Sequence, residues 1–189
     1  MTADPRIVVG IDPDKTRTAI AWAVLVDPVA RVYEMRGLIG GGASRARVPW
    51  TSITDALEWL PAMAQIETVA VTQIRVSVET QAASSPRSTD VEALRRVRYH
   101  WDAACELLGC ECEHVDKAAW QSLVLRKLQP PRGARGEGAI KRVYQDHARA
   151  SLGSVVANED QAAAFGILQW SVEVRLGATI DLRKMQVGP

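Results

Sequence analysis

The sequence predicts an α/β protein in which a mixed β-sheet carries helices on both faces. Three observations point there: β-branched runs of strand length crowd the first forty residues, apolar residues at helical spacing dominate the C-terminal half, and the two patterns alternate between residues 51 and 128. The chain has 189 residues, 47% of them hydrophobic and 24% charged, with a mean hydropathy of −0.07. Such a composition belongs to a folded protein and excludes disorder for the bulk of the chain. The length fits one domain over residues 1–189. The longest apolar stretch, residues 18–26, falls far short of the roughly 20 residues that a membrane span needs, and no charged leader with an apolar core opens the chain. A cytoplasmic protein without a membrane partner is expected. Cys105, Cys110 and Cys112, odd in number and close together, make no disulfide framework and favour a reducing compartment.

Taken in order, residues 7–12 form a β-branched run that stops at Pro13, and residues 18–26 form a second, with Pro13, Asp14 and Lys15 as the turn between them. Residues 29–39 alternate as a third strand, which completes an antiparallel meander ended by Gly40, Gly41 and Gly42. Residues 51–65 place Ile53, Leu57, Leu60 and Ala64 at helical spacing, with Ser52 or Thr54 as the cap. Residues 69–79 end in Val76, Ser77, Val78 and Glu79, a strand buried on at least one face. Thr89 and Glu92 make a capping-box pair at the start of a helix that Gly109 ends. Residues 110–115 read as a short strand and residues 117–128 as a helix running into Pro130 and Pro131. Residues 129–138, rich in proline, glycine and arginine, are expected to form a mobile basic loop. A helix over 139–152 and a last one from about Asn158 to Leu176 complete the chain. Of the known architectures, the ribonuclease H-like order of elements fits best.

The net charge of +1 is uninformative, but its distribution is not: residues 126–149 hold seven basic side chains against two acidic ones, an excess that attracts phosphates. Three acids stand where chemistry is placed. Asp12 closes one apolar strand, Glu79 closes another, and Asp160 sits in the first turn of the C-terminal helix. A carboxylate ending an apolar strand needs a charge partner or water. If the two strands are neighbours, Asp12 and Glu79 meet at one spot, to which a crossing helix adds Asp160. Oxygen-only clusters suit Mg²⁺ or Mn²⁺. Cys110, Cys112 and His114 alternate along one strand face and invite a zinc reading, but lack a fourth ligand at the usual spacing. Trp101, Trp120 and Trp170 fall among apolar helical positions and read as core or dimer contacts.

The residues around the acids carry a resemblance. Val9-Gly10-Ile11-Asp12-Pro13, followed by Ala19 to Val24, resembles the first strand and hairpin of RuvC-type Holliday junction resolvases. Val76-Ser77-Val78-Glu79 is similar to their second acidic strand, and Glu159-Asp160-Gln161-Ala162-Ala163-Ala164-Phe165 to their last motif. The motifs come in family order over residues 7–170, in a style closer to phage-encoded members. The gaps, 67 residues from Asp12 to Glu79 and 81 from Glu79 to Asp160, are long for a compact member. In the family's last motif a second acid follows three residues after the first; here Ala163 stands at that position. Either the motif is displaced, Glu159 substitutes from the same helix face, or the acid has been removed.

The resemblance implies a structure-selective endonuclease that resolves four-way junctions by paired symmetric nicks, with Asp12, Glu79, Asp160 and Glu159 as ligands of Mg²⁺, for which Mn²⁺ may substitute. It further implies a homodimer, because two matched nicks require two matched sites. Lys141 resembles a family lysine that approaches the scissile phosphate, and Lys117, Arg132, Arg135 and Arg142 are expected to contact DNA. Two alternatives remain open: a nuclease for flaps or forks, and a non-catalytic junction-binding protein, which Ala163 makes credible.

Overall fold

In the computed structural model, residues 4–13, 18–40, 52–80, 88–128 and 137–183 are described. They form an α/β structure around a six-stranded mixed sheet of order β5-β4-β1-β2-β3-β6. Strands β1 (Ile7–Asp12), β2 (Ala19–Asp27) and β3 (Val32–Gly40) make the expected antiparallel meander. Strand β4 (Ile74–Thr80) lies parallel to β1, and β5 (Glu111–Asp116) lies parallel to β4. The third strand begins three residues later than its pattern suggests. Asp27 Oδ1 accepts from the Val29 and Ala30 amides at 2.9 and 2.8 Å, holding a turn in which Arg31 takes a left-handed φ of 54°.

Helices α1 (Ile53–Ile66) and α2 (Ser88–Leu108) cover one face of the sheet. Helices α3 (Lys117–Leu128), α4 (Glu137–Leu152) and α5 (Glu159–Trp170) cover the other. The alternation of strand side chains decides the partition. Ile7, Val9, Ile11, Ile74, Val76 and Val78 point towards Leu60, Met63 and Trp101, while Val8 and Val115 join Trp120, Tyr144, Phe165 and Leu168. Each of these fully buried large side chains contributes roughly 1.5–3 kcal/mol. Ser52 caps α1, its hydroxyl accepting from the Asp55 amide at 3.2 Å while Asp55 bonds back to the Ser52 amide.

Other expectations also need correction: the strand read over 69–79 begins at Ile74, after a 3-10 turn at Val71–Gln73. Helix α2 opens at Ser88, so Thr89 lies inside it rather than capping it. Helix α4 opens at Glu137, so Glu137 and Gly138 are helical and not part of a loop; the rest of the expected basic loop, with Arg132 and Arg135, falls outside the described residues. The last helix changes pitch at Ser171: residues Ser171–Arg175 are π-helical, and the Leu176 amide reaches back five residues to the Ser171 carbonyl at 3.1 Å. A sixth strand, β6 (Thr179–Asp181), pairs parallel with β3 and extends the sheet at that edge. Among the described residues, no helix is long and apolar enough to cross a membrane.

Candidate active site

Strand alternation puts Gly10, Asp12, Ser77 and Glu79 on the face that α5 crosses, since Ile11, Val76 and Val78 face the opposite layer. Ile11 pairs with Val78, so one residue further along both parallel strands Asp12 stands beside Glu79. Gly10 sets the distance to α5. A Cβ at this position would come within 2.5 Å of both the Ala164 carbonyl oxygen and the Leu168 amide nitrogen, so only glycine lets the helix backbone lie this close to β1. Asp160 is one turn, roughly 6 Å, before Ala164 along the helix, and Asp12 is roughly 7 Å beyond Gly10 along the strand. The two elements run in opposite senses, which carries both carboxylates to the same end.

The start of α5 is fixed by hydrogen bonds. Asn158 Oδ1 accepts from the Gln161 amide at 2.9 Å, and Glu159 and Asp160 in the first turn suit the positive end of the helix dipole. Gln161 is buried yet satisfied. Its Nε2 donates to the Gly40 carbonyl at 3.1 Å and its Oε1 accepts from the Ala157 amide at 2.8 Å, tying the helix start to the end of β3.

Asp12, Glu79, Glu159 and Asp160 thereby line one cleft of about 170 Å³. Lys117, at the start of α3, and Lys141, in α4, line it as well, as do Ala163, Pro13, Trp120 and Tyr144. Arg142 follows Lys141 by one residue, about 100° further around the helix, and is exposed on α4 without lining the cleft. Ala163, where the sequence pattern lacks an acid, is buried with its side chain in the cleft wall.

Glu79 is the buried member of the group, at 4% exposure. Burial pushes its carboxyl pKa up, and this is opposed by the Lys117 charge, by a hydrogen bond from Trp120 and by Lys141, while Asp116 adds to it. The bond runs from the Trp120 indole Nε1 to Glu79 Oε2 at 2.8 Å. Trp120 is itself fully buried, edge-on to Tyr144 at 5.2 Å and packed against Gly166, where a Cβ would lie 2.7 Å from the indole ring. It is a core residue, as its helical position suggests, but the sequence reading missed its polar contact. The signal was available: a buried indole N–H requires an acceptor, and Trp120 sits one turn after Lys117. Lys141 Nζ lies 3.4 Å from Glu159 Oε1, an ion pair with half the Glu159 side chain exposed. Such a pair is worth roughly 0.2–1 kcal/mol, so Lys141 can exchange Glu159 for another anion at little cost.

No family model and no curated protein matches the sequence. Solved structures do match. The RuvC of Thermus thermophilus in complex with Holliday junction substrate superimposes with a TM-score of 0.57 at 13% identity, covering 90% of this chain and 96% of that one. Another structure of Thermus thermophilus RuvC gives 0.52 at 14% identity over 91% and 97% of the two chains. The yeast mitochondrial Holliday junction resolvase Ydc2 gives 0.53 at 10% identity, covering 98% of this chain and 86% of that one. Identities this low speak to architecture, and the chain has the α/β, ribonuclease H-like fold of the RuvC-type Holliday junction resolvases.

Proposed function

We propose that the chain is a structure-selective DNA endonuclease that resolves four-way junctions by paired symmetric nicks, using Mg²⁺ or, in its place, Mn²⁺. The observation that carries this reading is the convergence of Asp12, Glu79, Asp160 and Glu159 with Lys117 and Lys141 in one cleft. With all carboxylates ionised the six groups sum to a formal charge of −2. A DNA backbone enters such a cleft only if cations neutralise it. The donor set fits that need, because it offers carboxylate oxygens without sulfur or imidazole, the choice of hard divalent ions. Asp12, Glu79, Asp160 and Glu159 would hold the metal, which when bound supplies electrophilic stabilisation of the charge that develops on the phosphodiester.

The chain's own groups do the rest. Trp120 fixes one oxygen of Glu79 and thereby its orientation. Lys117 and Lys141 offer ammonium groups to the incoming phosphate. Arg142, exposed on α4, extends the basic surface offered to DNA, and Arg132 and Arg135, which fall outside the described residues, are expected from the sequence to contact phosphates. Two symmetric nicks call for a homodimer, and α2 leaves Tyr99 and Leu107 exposed as apolar contacts for one. The Thermus RuvC of the same fold is seen with a Holliday junction substrate, which supports a four-way junction as the DNA partner. An intracellular location accompanies a DNA substrate.

One observation favours a second reading, that of a junction binder that cuts poorly: Ala163 lines the cleft where a further carboxylate would complete it. A nicking assay on a four-way junction with Mg²⁺ or Mn²⁺ separates the two, with flap and fork DNA as competitors. The nuclease reading expects paired nicks that Asp12→Asn abolishes while junction binding persists. Absence of cutting by the native chain with rapid cutting by Ala163→Asp would establish the binder. Absence of cutting by both, or unimpaired cutting by Asp12→Asn, would refute the assignment of this cleft.

A further inference from the structure

A second cluster of ligating side chains lies on the other face of the sheet. Cys112 and His114 are two residues apart on β5 and opposite Val76 and Val78 of β4, whose side chains face the α1 and α2 layer and not the carboxylate cleft. Above them Asp102 projects from α2. Its Oδ1 accepts from the Cys112 thiol at 3.2 Å and lies 2.7 Å from His114 Nε2. One sulfur, one nitrogen and one oxygen ligand atom thus fall within 4.8 Å of one another. Cys110, which the sequence pattern groups with Cys112 and His114, precedes the strand and is buried. Asp102 takes its place in the cluster.

We propose that Asp102, Cys112 and His114 form a site for a thiophilic divalent cation, Zn²⁺ foremost, that clips helix α2 to edge strand β5. The donor set carries the choice of ion. Thiolate and imidazole with a single carboxylate are poor ligands for Mg²⁺ and good ones for Zn²⁺. Geometry agrees. Zn²⁺ bonds of about 2.0–2.3 Å in a tetrahedron hold ligand atoms roughly 3.5 Å apart, so the observed 2.7 and 3.2 Å need to open by less than about 1 Å. The side chains of His114 and Asp102 are 42% and 30% exposed, which leaves a fourth position for water and a path of entry.

A nucleophilic reading of the same residues fails on their connectivity. A cysteine activated for catalysis bonds to its base, with the carboxylate behind the base. Here the carboxylate stands between sulfur and imidazole, the arrangement of three groups that share one central point. On binding, the Cys112 S–H bond breaks and a sulfur–metal bond forms. The thiol proton leaves to buffer, the His114 imidazole keeps its hydrogen on Nδ1 instead of Nε2 so that Nε2 bonds the ion, and the Asp102 oxygen exchanges both hydrogen bonds for one bond to the ion. No electron is transferred. The site does not depend on the nuclease reading, because its ligands and its ion differ from those of the cleft.

The test uses the full chain, reduced and freed of metal with a chelator, and titrated with Co²⁺ as a spectroscopic stand-in for Zn²⁺. A thiolate-to-cobalt charge-transfer band with tetrahedral d–d absorption is expected to saturate at one ion per chain. Zn²⁺ should bleach it stoichiometrically, whereas millimolar Mg²⁺ should not. Cys112→Ser, His114→Ala and Asp102→Asn, each checked for native circular dichroism, should weaken Co²⁺ binding by more than about 100-fold, while Asp12→Asn leaves the band intact. Retention of the band in folded Cys112→Ser, or its absence from the native chain, would overturn the proposal.

Discussion

Replacing Trp120 with phenylalanine removes one polar contact from the cleft and keeps an aromatic ring in its place. The indole N–H reaches Glu79 Oε2 at 2.8 Å with both residues buried. A hydrogen bond to a charged acceptor contributes roughly 1.5–3 kcal/mol and one to a neutral acceptor roughly 0.5–1.5 kcal/mol. The ionised form of Glu79 therefore loses about 1–1.5 kcal/mol more than the protonated form. At about 1.36 kcal/mol per unit, the pKa of Glu79, which burial already raises, climbs by roughly a further unit. Stability falls as well, by roughly 2–4 kcal/mol at neutral pH, because Gly166 has no side chain to fill the space of the missing ring. Carboxyl NMR titration of Glu79 in the metal-free protein reads the first effect, urea unfolding the second. In the nicking assay the acid limb of the pH profile should move up by about one unit, with activity recovering at higher pH. A Glu79 that titrates unchanged in Trp120→Phe, in a protein destabilised as expected, would show that Trp120 is packing alone and would refute the reasoning.

Glu79→Gln should make the metal-free protein more stable at neutral pH. The folded state holds the Glu79 proton more tightly than the unfolded one, so its contribution is fully present below the usual carboxyl value near 4.3 and is lost as pH rises through the folded value; urea midpoints between pH 4 and 7 should diverge for the two proteins, and parallel curves would count against it. Gly10→Ala should destabilise by about 3 kcal/mol or more, because the new methyl meets backbone atoms of α5 that cannot rotate away; thermal unfolding measures it, and a neutral result would mean that α5 sits further from β1. Lys117→Ala and Lys141→Ala should each flatten the log–log salt dependence of junction binding by about one unit, an outcome that fluorescence anisotropy over a salt series detects.

Elements whose signals are local were legible in the sequence. Strand β1 and helix α3 have the bounds that their patterns mark, because Pro13 and the prolines after Leu128 punctuate them. Gly109, with a φ of 70°, ends α2 as expected of glycine. Elements that depend on tertiary partners were not. Strand β6 is three residues long and exists because β3 offers it an edge. The start of α4 was hidden by Gly138, which reads as loop composition although a first-turn glycine is tolerated within a helix. The four cleft carboxylates were identifiable because strand ends and a helix start point to one place once β1 and β4 pair. Trp120 and Asp102 were harder, since each acquires its polar partner across layers, 41 and 10–12 residues away in sequence.

The parallel pairing of β1 with β4 has a consequence for folding. Asp12, Glu79 and Asp160 come from three distant stretches of chain, so of the four cleft carboxylates an unfolded molecule holds no more than Glu159 and Asp160 at one place. On the metal-dependent function proposed above, the cleft's affinity for the ion belongs to the native state alone, and occupancy would add RT ln(1 + [ion]/Kd) to its stability, about 2.7 kcal/mol when the ion stands at 100 times its Kd. The same ligation would relieve the repulsion among the four carboxylates that the cleft gathers together. Chelation should then loosen the strand ends and the first turn of α5 before the rest of the sheet, so that hydrogen exchange at Asp12, Glu79 and Asp160 reports the presence of the ion independently of any DNA.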